Sequence, residues 1–397
     1  MKQEFFKQIE NEFLIRKIKG NSVISAGNIN STYKIEAEGA NYILQRINKF
    51  VFKKPDEVMQ NIRRVSRFLE RKVLQEGGNP KREVLHPIAT LDGTSFYIDE
   101  DGEYWRMYDL IENAKTYDTV DDVEMFRKVG QAFGKFQNRL IDFDASNLHE
   151  AIPDFHNTPK RLLDLKKAIL ADKAGRLEAI KGQPDHPLKQ ALDYILGKEK
   201  DLWIIETGKA SGELPLRVTH NDTKINNVMI DENTGDPICV IDLDTIGPDS
   251  CLVDFGDAIR SGANRAGEEP EQIDSAKIDL ELYKAYAEGY LSDALVIDKK
   301  GNLNKDPQKG LTQKEVELLH QSPEILTLEL AIRFLTDYIN GDEYFKLKPH
   351  QSKDMNLRRG LTQMYLAQDM YAKRDEMKKI VQEIVNERVK NKSEEER

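Results

Sequence analysis

Long apolar runs are missing from this chain of 397 residues. No stretch is apolar enough to cross a bilayer, and residues 1–18 have the charge pattern of an amphipathic helix, so we expect neither a signal peptide nor a membrane anchor. Cysteine is scarce as well, since Cys239 and Cys251 are the only two. Two cysteines cannot build a disulfide framework, and their scarcity fits the reducing cytoplasm. We therefore predict a cytoplasmic protein that does not bind membranes.

An excess of positive charge is also lacking. The formal net charge is −10 at pH 7, and no dense basic patch stands out. Proteins that bind nucleic acids neutralise phosphates with clustered basic residues, so the composition disfavours a nucleic-acid partner. The acidic surface offers no evident self-complementary patch either, and a monomer is the default expectation.

Two kinds of pattern follow one another along the chain. After the N-terminal amphipathic helix, residues up to 112 alternate apolar and polar positions around a helix that begins at Pro55, which predicts a small β-rich N-lobe over residues 1–112. Residues 113–397 have mainly helical periodicity, apart from a polar excursion at 295–311. The chain is also too long for one ordinary core. We predict an α+β, bilobal fold in which a large, mainly helical C-lobe follows the N-lobe.

The stretch VTHNDTKINNVMID, residues 218–231, collects polar side chains beside an apolar run. A lone His-x-Asp is usually a solvated turn, and for the short motif alone that interpretation is the simpler one. The spacing of the whole series is more specific. Its polar members are His220, Asp222, Lys224 and Asn227.

A predicted β-hairpin extends this series. The turn at residues 231–237 separates two short apolar runs, and Asp242 follows Asn227 by fifteen residues. An antiparallel hairpin would bring Asn227 and Asp242 to the same end of the two strands. Amide and carboxylate oxygens are hard ligands that suit Mg²⁺. The pattern therefore predicts a magnesium site.

The remaining residues of the series suit phosphoryl transfer. Asp222 can accept the proton of an attacking hydroxyl group, and Lys224 can neutralise charge on the transferred group. Two nearby acids, Asp242 and Asp244, would also suit glycoside hydrolysis, which needs two carboxyl groups about 5–10 Å apart. Glycoside hydrolysis would give Lys224 and Asn227 no role in the reaction, so we favour phosphoryl transfer.

The series H-x-D-x-K-x-x-N, followed by a strand that ends in Ile-Asp, resembles the catalytic and metal-binding loops of protein kinases. It is more similar still to those of the aminoglycoside and choline kinase superfamily. Asp254, twelve residues beyond Asp242, matches a structural aspartate of the aminoglycoside kinases. The resemblance implies a protein-kinase-like fold, ATP and Mg²⁺ as cofactors, and a His220 that orients the loop through hydrogen bonds.

A closer resemblance, to the bacterial N-acetylhexosamine 1-kinases of amino-sugar salvage, covers roughly residues 20–363. It implies that a small sugar is the substrate and that ATP phosphorylates the anomeric hydroxyl of GlcNAc or GalNAc. A kinase for another small hydroxyl acceptor (an aminoglycoside, choline or a different sugar) is the alternative, and a silent kinase-like binding protein is the non-enzymatic one. The stretches that carry the resemblance are GNINSTYKI, YILQRIN, YWRMYDLIE, AFGKFQN, IPDFHNTPKR, VTHNDTKINNVMID, IDLDTIGP and LELAIRFLTDYINGDEYF.

The predicted nucleotide site lies in the N-lobe. The loop after Gly27 is where kinases cover the phosphates, although its single glycine fits a plain hairpin turn equally well. The next strand should carry a basic residue, and whether Gln45 or Arg46 takes that part stays open. The connection at 107–112 should receive the adenine. The predicted nucleotide contacts are Asn28, Asn30, Ser31, Gln45, Arg46, Tyr108 and Leu110.

Acceptor contacts are predicted in two segments. The segment IPDFHNTPKR offers Phe155, His156 and Asn157, although a surface turn with Thr158 as helix N-cap explains it equally well.

The second segment, near residue 337, offers Arg333 and Tyr344, which the resemblance favours as sugar contacts. An ion pair between Arg333 and Asp337, four residues apart on a helix, is the alternative. Asp244, two residues beyond Asp242, could bind either the metal or the acceptor.

Overall fold

A computed structural model describes residues 3–24, 29–120, 122–298, 302–303, 305–348 and 351–395 of the chain. The chain divides into two units. The first unit consists of Met1–Thr116, Asp142–Pro153 and Asn227–Pro248, and the second of Tyr117–Ile141, Asp154–Asn226 and Asp249–Arg397. Each unit is therefore assembled from three separate pieces of sequence. The lobe boundary expected between residues 112 and 113 stays a prediction.

The described residues contain short strands and many helices. The strands are β1 (Ile18–Ile24), β2 (Ser31–Ala37), β3 (Ala40–Arg46), β4 (Tyr97–Ile98), β5 (Tyr104–Asp109), β6 (Ala114–Lys115), β7 (Arg217–Thr219), β8 (Val228–Asp231), β9 (Pro237–Val240) and β10 (Gly247–Asp249). The helices are α1 (Gln3–Glu12), α2 (Pro55–Gln75), α3 (Pro80–Glu83), α4 (Val123–Arg139), α5 (Thr158–Ala171), α6 (Pro187–Gly197), α7 (Glu199–Leu202), α8 (Ile204–Ser211), α9 (Cys251–Gly262), α10 (Leu280–Ala294), α11 (Gln313–Leu318), α12 (Ser322–Asn340), α13 (Met355–Ala372) and α14 (Arg374–Glu395). None of the helices in these ranges is both long and apolar enough to cross a membrane.

The first unit is built on a five-stranded antiparallel sheet in the order β1-β2-β3-β5-β4. Alternate residues of its strands point to one face, where Ile35, Leu44 and Met107 are buried against the amphipathic helix α1. Helix α2 begins at Pro55, as predicted, because proline suits the first turn of a helix.

The predicted hairpin is confirmed, and it belongs to the first unit. Strands β8 and β9 pair antiparallel, with Val228 opposite Val240. One step beyond this pair, the N–H of Ile241 donates to the carbonyl of Asn227 at 2.9 Å. Asn227 and Asp242 are therefore brought to the same end of the hairpin.

The second unit is mainly helical. Its largest apolar cluster joins α5, α6, α12 and α13, with Leu165, Ile195, Leu335 and Ala367 fully buried. The polar excursion predicted at 295–311 is attached to this unit, although residues 299–301 and 304 lie outside the described ones.

Arg217, on β7, anchors the end of that excursion. Its guanidinium group makes two contacts with Glu315, at 2.5 and 2.7 Å, and donates to the carbonyls of Pro307 and Gly310. Arginine suits this position because its planar guanidinium presents several donors in a fixed geometry. The side chain thus ties the excursion to the strand that leads into residue 220.

Helices α4 and α10 approach each other closely because glycines line their contact. A Cβ atom at Gly130 would lie well inside van der Waals contact of the Tyr286 carbonyl oxygen, and one at Gly134 would meet the Tyr290 carbonyl in the same way. On α10, a Cβ atom at Gly289 would collide with the backbone of α4. Since backbone cannot give way as a flexible side chain does, only glycine allows this packing.

We expect Gly130→Ala to lower the free energy of unfolding by about 1–3 kcal/mol, because the added methyl group overpacks a rigid contact. Gly197→Ala is the matched control, since Gly197 is also helical but an added Cβ atom there would meet no described residue within 4 Å. That change should be neutral or should stabilise by about 0.4–1 kcal/mol. Urea unfolding measures both, and equal effects of the two variants would contradict the proposed packing constraint.

Candidate active site

In the second unit, residues 220–224 form an irregular segment after β7, which we call the polar loop. The carboxylate of Asp254, in the first turn of α9, accepts hydrogen bonds from the N–H groups of His220 and Asn221, both at 2.8 Å. Asp257 accepts from the N–H of Thr223 at 3.1 Å. Buried N–H groups without partners are costly, so these carboxylates determine the path of the loop.

The protonation state of Asp254 matters for this arrangement. Burial raises its pKa to about 6, against the opposing effects of His220 and of the two backbone hydrogen bonds. The two N–H groups favour the ionised carboxylate, which accepts hydrogen bonds more strongly than the neutral acid.

The chain bends at Asn221, whose φ of 65° lies in the left-handed region. The next residue, Asp222, is half-buried, and its Oδ1 lies 3.1 Å from the Nζ of Lys224. The negative charge of Asp222 raises the pKa of Lys224, so the lysine stays cationic beside the carboxylate. A carboxylate and an ammonium group are thus held together at the surface of the loop.

His220 acts on the backbone of the loop. The N–H of Asp222 donates to its Nδ1 at 3.3 Å. Its ring meets those of Phe133 and Phe136, on α4, edge to face at centroid distances of 5.8 and 6.2 Å. The aromatic rings hold the imidazole where it can accept this hydrogen bond.

His156, predicted as an acceptor contact, is engaged inside the protein. It is buried, with Nδ1 2.8 Å from Oε1 of Glu329 and Nε2 3.0 Å from the carbonyl oxygen of Asn221. Both ring nitrogens are therefore used, and the structure gives this side chain a different part from the predicted one.

Asn157 is also engaged, because it is the N-cap of α5. Its side chain accepts from the N–H of Lys160 and donates to Asp154, both at 3.1 Å. The assignment of Thr158 as N-cap is wrong by one residue. Thr158 lies inside the first turn, where its hydroxyl donates to Glu329 at 2.6 Å.

Three other predicted acceptor residues, Phe155, Arg333 and Tyr344, form a cation–aromatic cluster with Phe345. The Arg333 guanidinium lies 5.2, 5.9 and 5.6 Å from the ring centroids of Phe155, Tyr344 and Phe345. The alternative ion pair with Asp337 does not form, because that carboxylate accepts from the backbone N–H groups of Tyr344 and Phe345, both at 2.8 Å. Arg333 is left facing aromatic rings, and burial lowers its pKa.

In the first unit, a buried arginine network lies beside Asp242. Arg106, on β5, forms an ion pair with Asp244, and its Nε donates to Gln45 at 3.0 Å. Asn30 donates to Asp244 at 2.6 Å. Burial alone would lower the pKa of Arg106, but the negative charge of Asp244 outweighs it and raises the pKa. Asp244 is thus already paired, in contrast to the predicted contact with metal or acceptor.

Gln45 and Arg46, the two candidates for a phosphate contact on β3, lie in different surroundings. Gln45 lies opposite Arg106 in the sheet and points into the network, where it also donates to Thr32 at 3.0 Å. Arg46 is exposed and donates to Ser31 at 3.3 Å. A buried basic group is therefore present beside Gln45, but β5 supplies it.

Asn28, Leu110 and Tyr108 are also predicted to contact the nucleotide. Asn28 lies outside the described residues. The N–H of Leu110 donates to the carbonyl of Asn41 at 3.1 Å, so it is already used. The hydroxyl of Tyr108 is buried and has no hydrogen-bond partner among the described residues.

The predicted metal ligands are also in the first unit. Asn227 is buried and Asp242 is exposed, at the shared end of β8 and β9. Among the described residues, no three His, Cys, Asp or Glu side chains converge in a way that could hold a metal ion. An amide and a carboxylate fit Mg²⁺, which takes few protein ligands when phosphates and water supply the others.

The family model described as the phosphotransferase enzyme family, APH, matches residues 21–294. This chain belongs to that family. It is therefore a phosphotransferase, as the sequence predicted, and an enzyme of the transferase class.

Solved structures share the fold of this phosphotransferase over nearly their whole length. A microcompartment-associated aminopropanol kinase has a TM-score of 0.58 at 14% identity and covers 94% of this chain and 98% of its own. An aminoglycoside phosphotransferase from Alicyclobacillus acidocaldarius has a TM-score of 0.53 at 13% identity, with coverages of 98% and 97%. A spectinomycin phosphotransferase in complex with ADP and spectinomycin has a TM-score of 0.51 at 14% identity, with coverages of 92% and 98%. The predicted α+β, bilobal, kinase-like fold is confirmed.

Sequence reasoning missed Arg106. The signal was available, because an arginine interrupts the apolar positions of the strand YWRMYDL. A charged residue among buried strand positions requires a partner. Nothing in the spacing identified Asp244 as that partner, since 138 residues separate the two.

We expect Arg106→Met to cost about 3–5 kcal/mol of stability in the phosphotransferase, because it leaves the buried Asp244 carboxylate without its cation. The double variant Arg106→Met with Asp244→Asn should recover most of that loss. Lys166→Met is the control, since the exposed Lys166–Glu199 pair should contribute about 1 kcal/mol or less. Urea unfolding decides, and a double variant less stable than the single one would contradict the pairing.

Proposed function

We propose that this phosphotransferase transfers the γ-phosphoryl group of ATP to the anomeric hydroxyl of an N-acetylhexosamine, GlcNAc or GalNAc. The observation that carries the proposal is the Asp222–Lys224 pair on the polar loop. The Asn221 carbonyl of this loop contacts His156, which is next in sequence to Phe155 of the cation–aromatic cluster. The nucleotide is inferred from the family, and the sugar from the sequence resemblance.

The connection between loop and cluster is short. His156 contacts the Asn221 carbonyl, and the ring of the preceding residue, Phe155, lies 4.4 Å from the imidazole and 5.2 Å from the Arg333 guanidinium. An acceptor that rested on this cluster would therefore lie near Asp222. Aromatic rings pack against the C–H faces of sugars, and Arg333 can donate to sugar oxygens. A cationic acceptor would meet the positive charge of Arg333, which favours a neutral sugar over choline or an aminoglycoside.

The chemistry follows from the charges. The hydroxyl oxygen of the sugar attacks the γ-phosphorus, the bond to the bridging oxygen breaks, and ADP leaves. Asp222 accepts the proton of the hydroxyl, and Lys224 neutralises charge on the phosphoryl oxygens. Asn227 and Asp242 would hold Mg²⁺, which would neutralise charge on the phosphates of the nucleotide.

Asn30, Ser31 and Tyr108 are the residues that we propose as nucleotide contacts. Ser31 and Asn30 bracket the start of β2, and the buried Tyr108 hydroxyl lies beside the arginine network. Asp244 is paired with Arg106, so we propose Asp242 as the carboxylate that binds the cation.

The test is consumption of ATP in the presence of Mg²⁺ with a panel of acceptors: GlcNAc, GalNAc, glucose, galactose, choline, kanamycin and homoserine. We expect turnover with GlcNAc or GalNAc, with the new phosphate on C1 by NMR. Asp222→Asn should lower kcat by several orders of magnitude while nucleotide binding is kept. Turnover on choline or kanamycin alone would reject the sugar but keep the kinase, and no turnover on any acceptor would support a silent binding protein.

The cation–aromatic cluster gives a separate prediction. Arg333→Met should raise the KM for the sugar about tenfold or more, since it removes hydrogen bonds from a charged donor, with little change in the KM for ATP. Arg358→Met is the control, because within the described part of the chain Arg358 donates to the backbone carbonyls of Pro270 and Glu271. Steady-state kinetics measures both variants, and an unchanged KM for the sugar in Arg333→Met would place the acceptor elsewhere.

A further inference from the structure

We infer that His156 is a positioning residue of the phosphoryl transfer: held as an imidazolium by Glu329, it fixes the Asn221 carbonyl and thereby the direction of Asp222. The inference rests on the proposed function for its kinetic consequence. Its structural content, the charge state of one buried histidine and the contact it makes, can be tested without any activity.

The first argument is a count of donors and acceptors. Nδ1 of His156 faces the carboxylate of Glu329, and Nε2 faces the carbonyl of Asn221. A carbonyl and a carboxylate only accept, and a neutral imidazole has a single N–H. The Thr158 hydroxyl occupies the second oxygen of Glu329 at 2.6 Å, as expected for an ionised carboxylate. Both contacts of His156 are satisfied together only when both ring nitrogens carry protons.

The surroundings agree with this count. Burial alone would lower the pKa of His156, but the charge of Glu329 outweighs it and raises the pKa to about 9. Asp257 on α9 adds to the effect. Three further charged groups interact with His156 or with Glu329, and they are the Asp254 carboxylate on α9, the Arg333 guanidinium on α12 and the Glu206 carboxylate on α8.

The second argument concerns the peptide unit between Asn221 and Asp222. Its carbonyl oxygen accepts from His156, and its N–H donates to Nδ1 of His220 at 3.3 Å. Two imidazoles therefore hold the two ends of one peptide plane. Asn221 has a φ of 65°, a left-handed conformation that asparagine adopts more readily than most residues, and these two contacts hold the turn from outside. The orientation of this plane sets the direction in which the Asp222 side chain leaves the backbone.

Deprotonation would break the arrangement in a specific way. A neutral His156 would keep its one proton on Nδ1, because the Glu329 carboxylate is the stronger acceptor. Nε2 would then present a lone pair to the Asn221 carbonyl, which repels it. The imidazolium is complete well below pH 9 and is lost as the pH rises through about 9, so the positioning of Asp222 should be lost over the same range.

The variant Glu329→Gln distinguishes a positioning role of His156 from a role in stability alone. The amide that this change introduces can donate to Nδ1 of a neutral His156, whose proton then lies on Nε2 and still binds the Asn221 carbonyl. We expect this variant to keep kcat within about threefold of wild type at pH 7, since a neutral exchange preserves both contacts. The wild-type kcat should fall as the pH rises through 9, and the ratio of wild-type to variant kcat should fall with it.

Two further variants complete the kinetic test. His156→Phe keeps a ring but removes both donors, and it should lower kcat about 100-fold through the misplaced carboxylate, with little change in the KM for ATP. Glu324→Gln is the matched control, because Glu324 is a buried acid on the same helix that pairs with Arg374, and it should leave the alkaline fall of kcat unchanged. An identical alkaline fall in wild type and Glu329→Gln, or an unchanged kcat in His156→Phe, would overturn the inference.

The readout independent of activity is NMR of the histidine ¹³Cε1 resonances. The chain has 7 histidines, and the resonance absent from His156→Phe identifies His156; if that variant does not fold, the resonance that moves in Glu329→Gln does. We expect a charged imidazole at pH 7 that titrates near pH 9. Titration at or below the ordinary histidine pKa of about 6.5 would overturn the inference. A wild-type enzyme without turnover on any acceptor would reject the proposed function, and the NMR titration would still decide the state of His156.

Discussion

The hydrogen bonds that one carboxylate accepts from two consecutive backbone N–H groups are the constraint on which the polar loop depends. Asp254 binds His220 and Asn221 in this way, and without it two buried donors would have no partner. The bonds also offset the cost of burying the carboxylate itself. Once this backbone is held, the left-handed turn follows, and the side chain of Asp222 emerges beside Lys224.

The parts of the molecule that could be predicted from sequence are those set by short spacings. The β8–β9 hairpin follows from a turn between two apolar runs, and it brings Asn227 and Asp242 to one end. Helix α2 follows from Pro55 and from apolar residues at helical period. The α+β class follows from strands that precede helices. In the hairpin and in helix α2 the interacting groups lie within about twenty residues, so one pattern contains both partners.

Pairs that are distant in sequence escaped the same reasoning. Arg106 and Asp244 meet across 138 residues, and His156 and Glu329 across 173. The segment with Phe155, His156 and Asn157 could not be divided between ligand contacts and structural contacts from composition alone. In the structure, Asn157 caps helix α5 and His156 pairs with Glu329. Of these three residues, Phe155 is the one whose ring faces Arg333. Polar residues in an irregular segment are interpretable only once their partners are known.

The long separation between His156 and Glu329 has a consequence for how the chain is made. During synthesis, Glu329 follows Asn221 by 108 residues. At about 5–20 residues per second, the polar loop is synthesised roughly 5–20 seconds before Glu329, the acid that pairs with His156. The carboxylates of α9 are available much earlier, because Asp254 follows Asn221 by only 33 residues. The nascent chain can therefore shape the loop first and orient the Asp222 carboxylate later, once α12 has been synthesised.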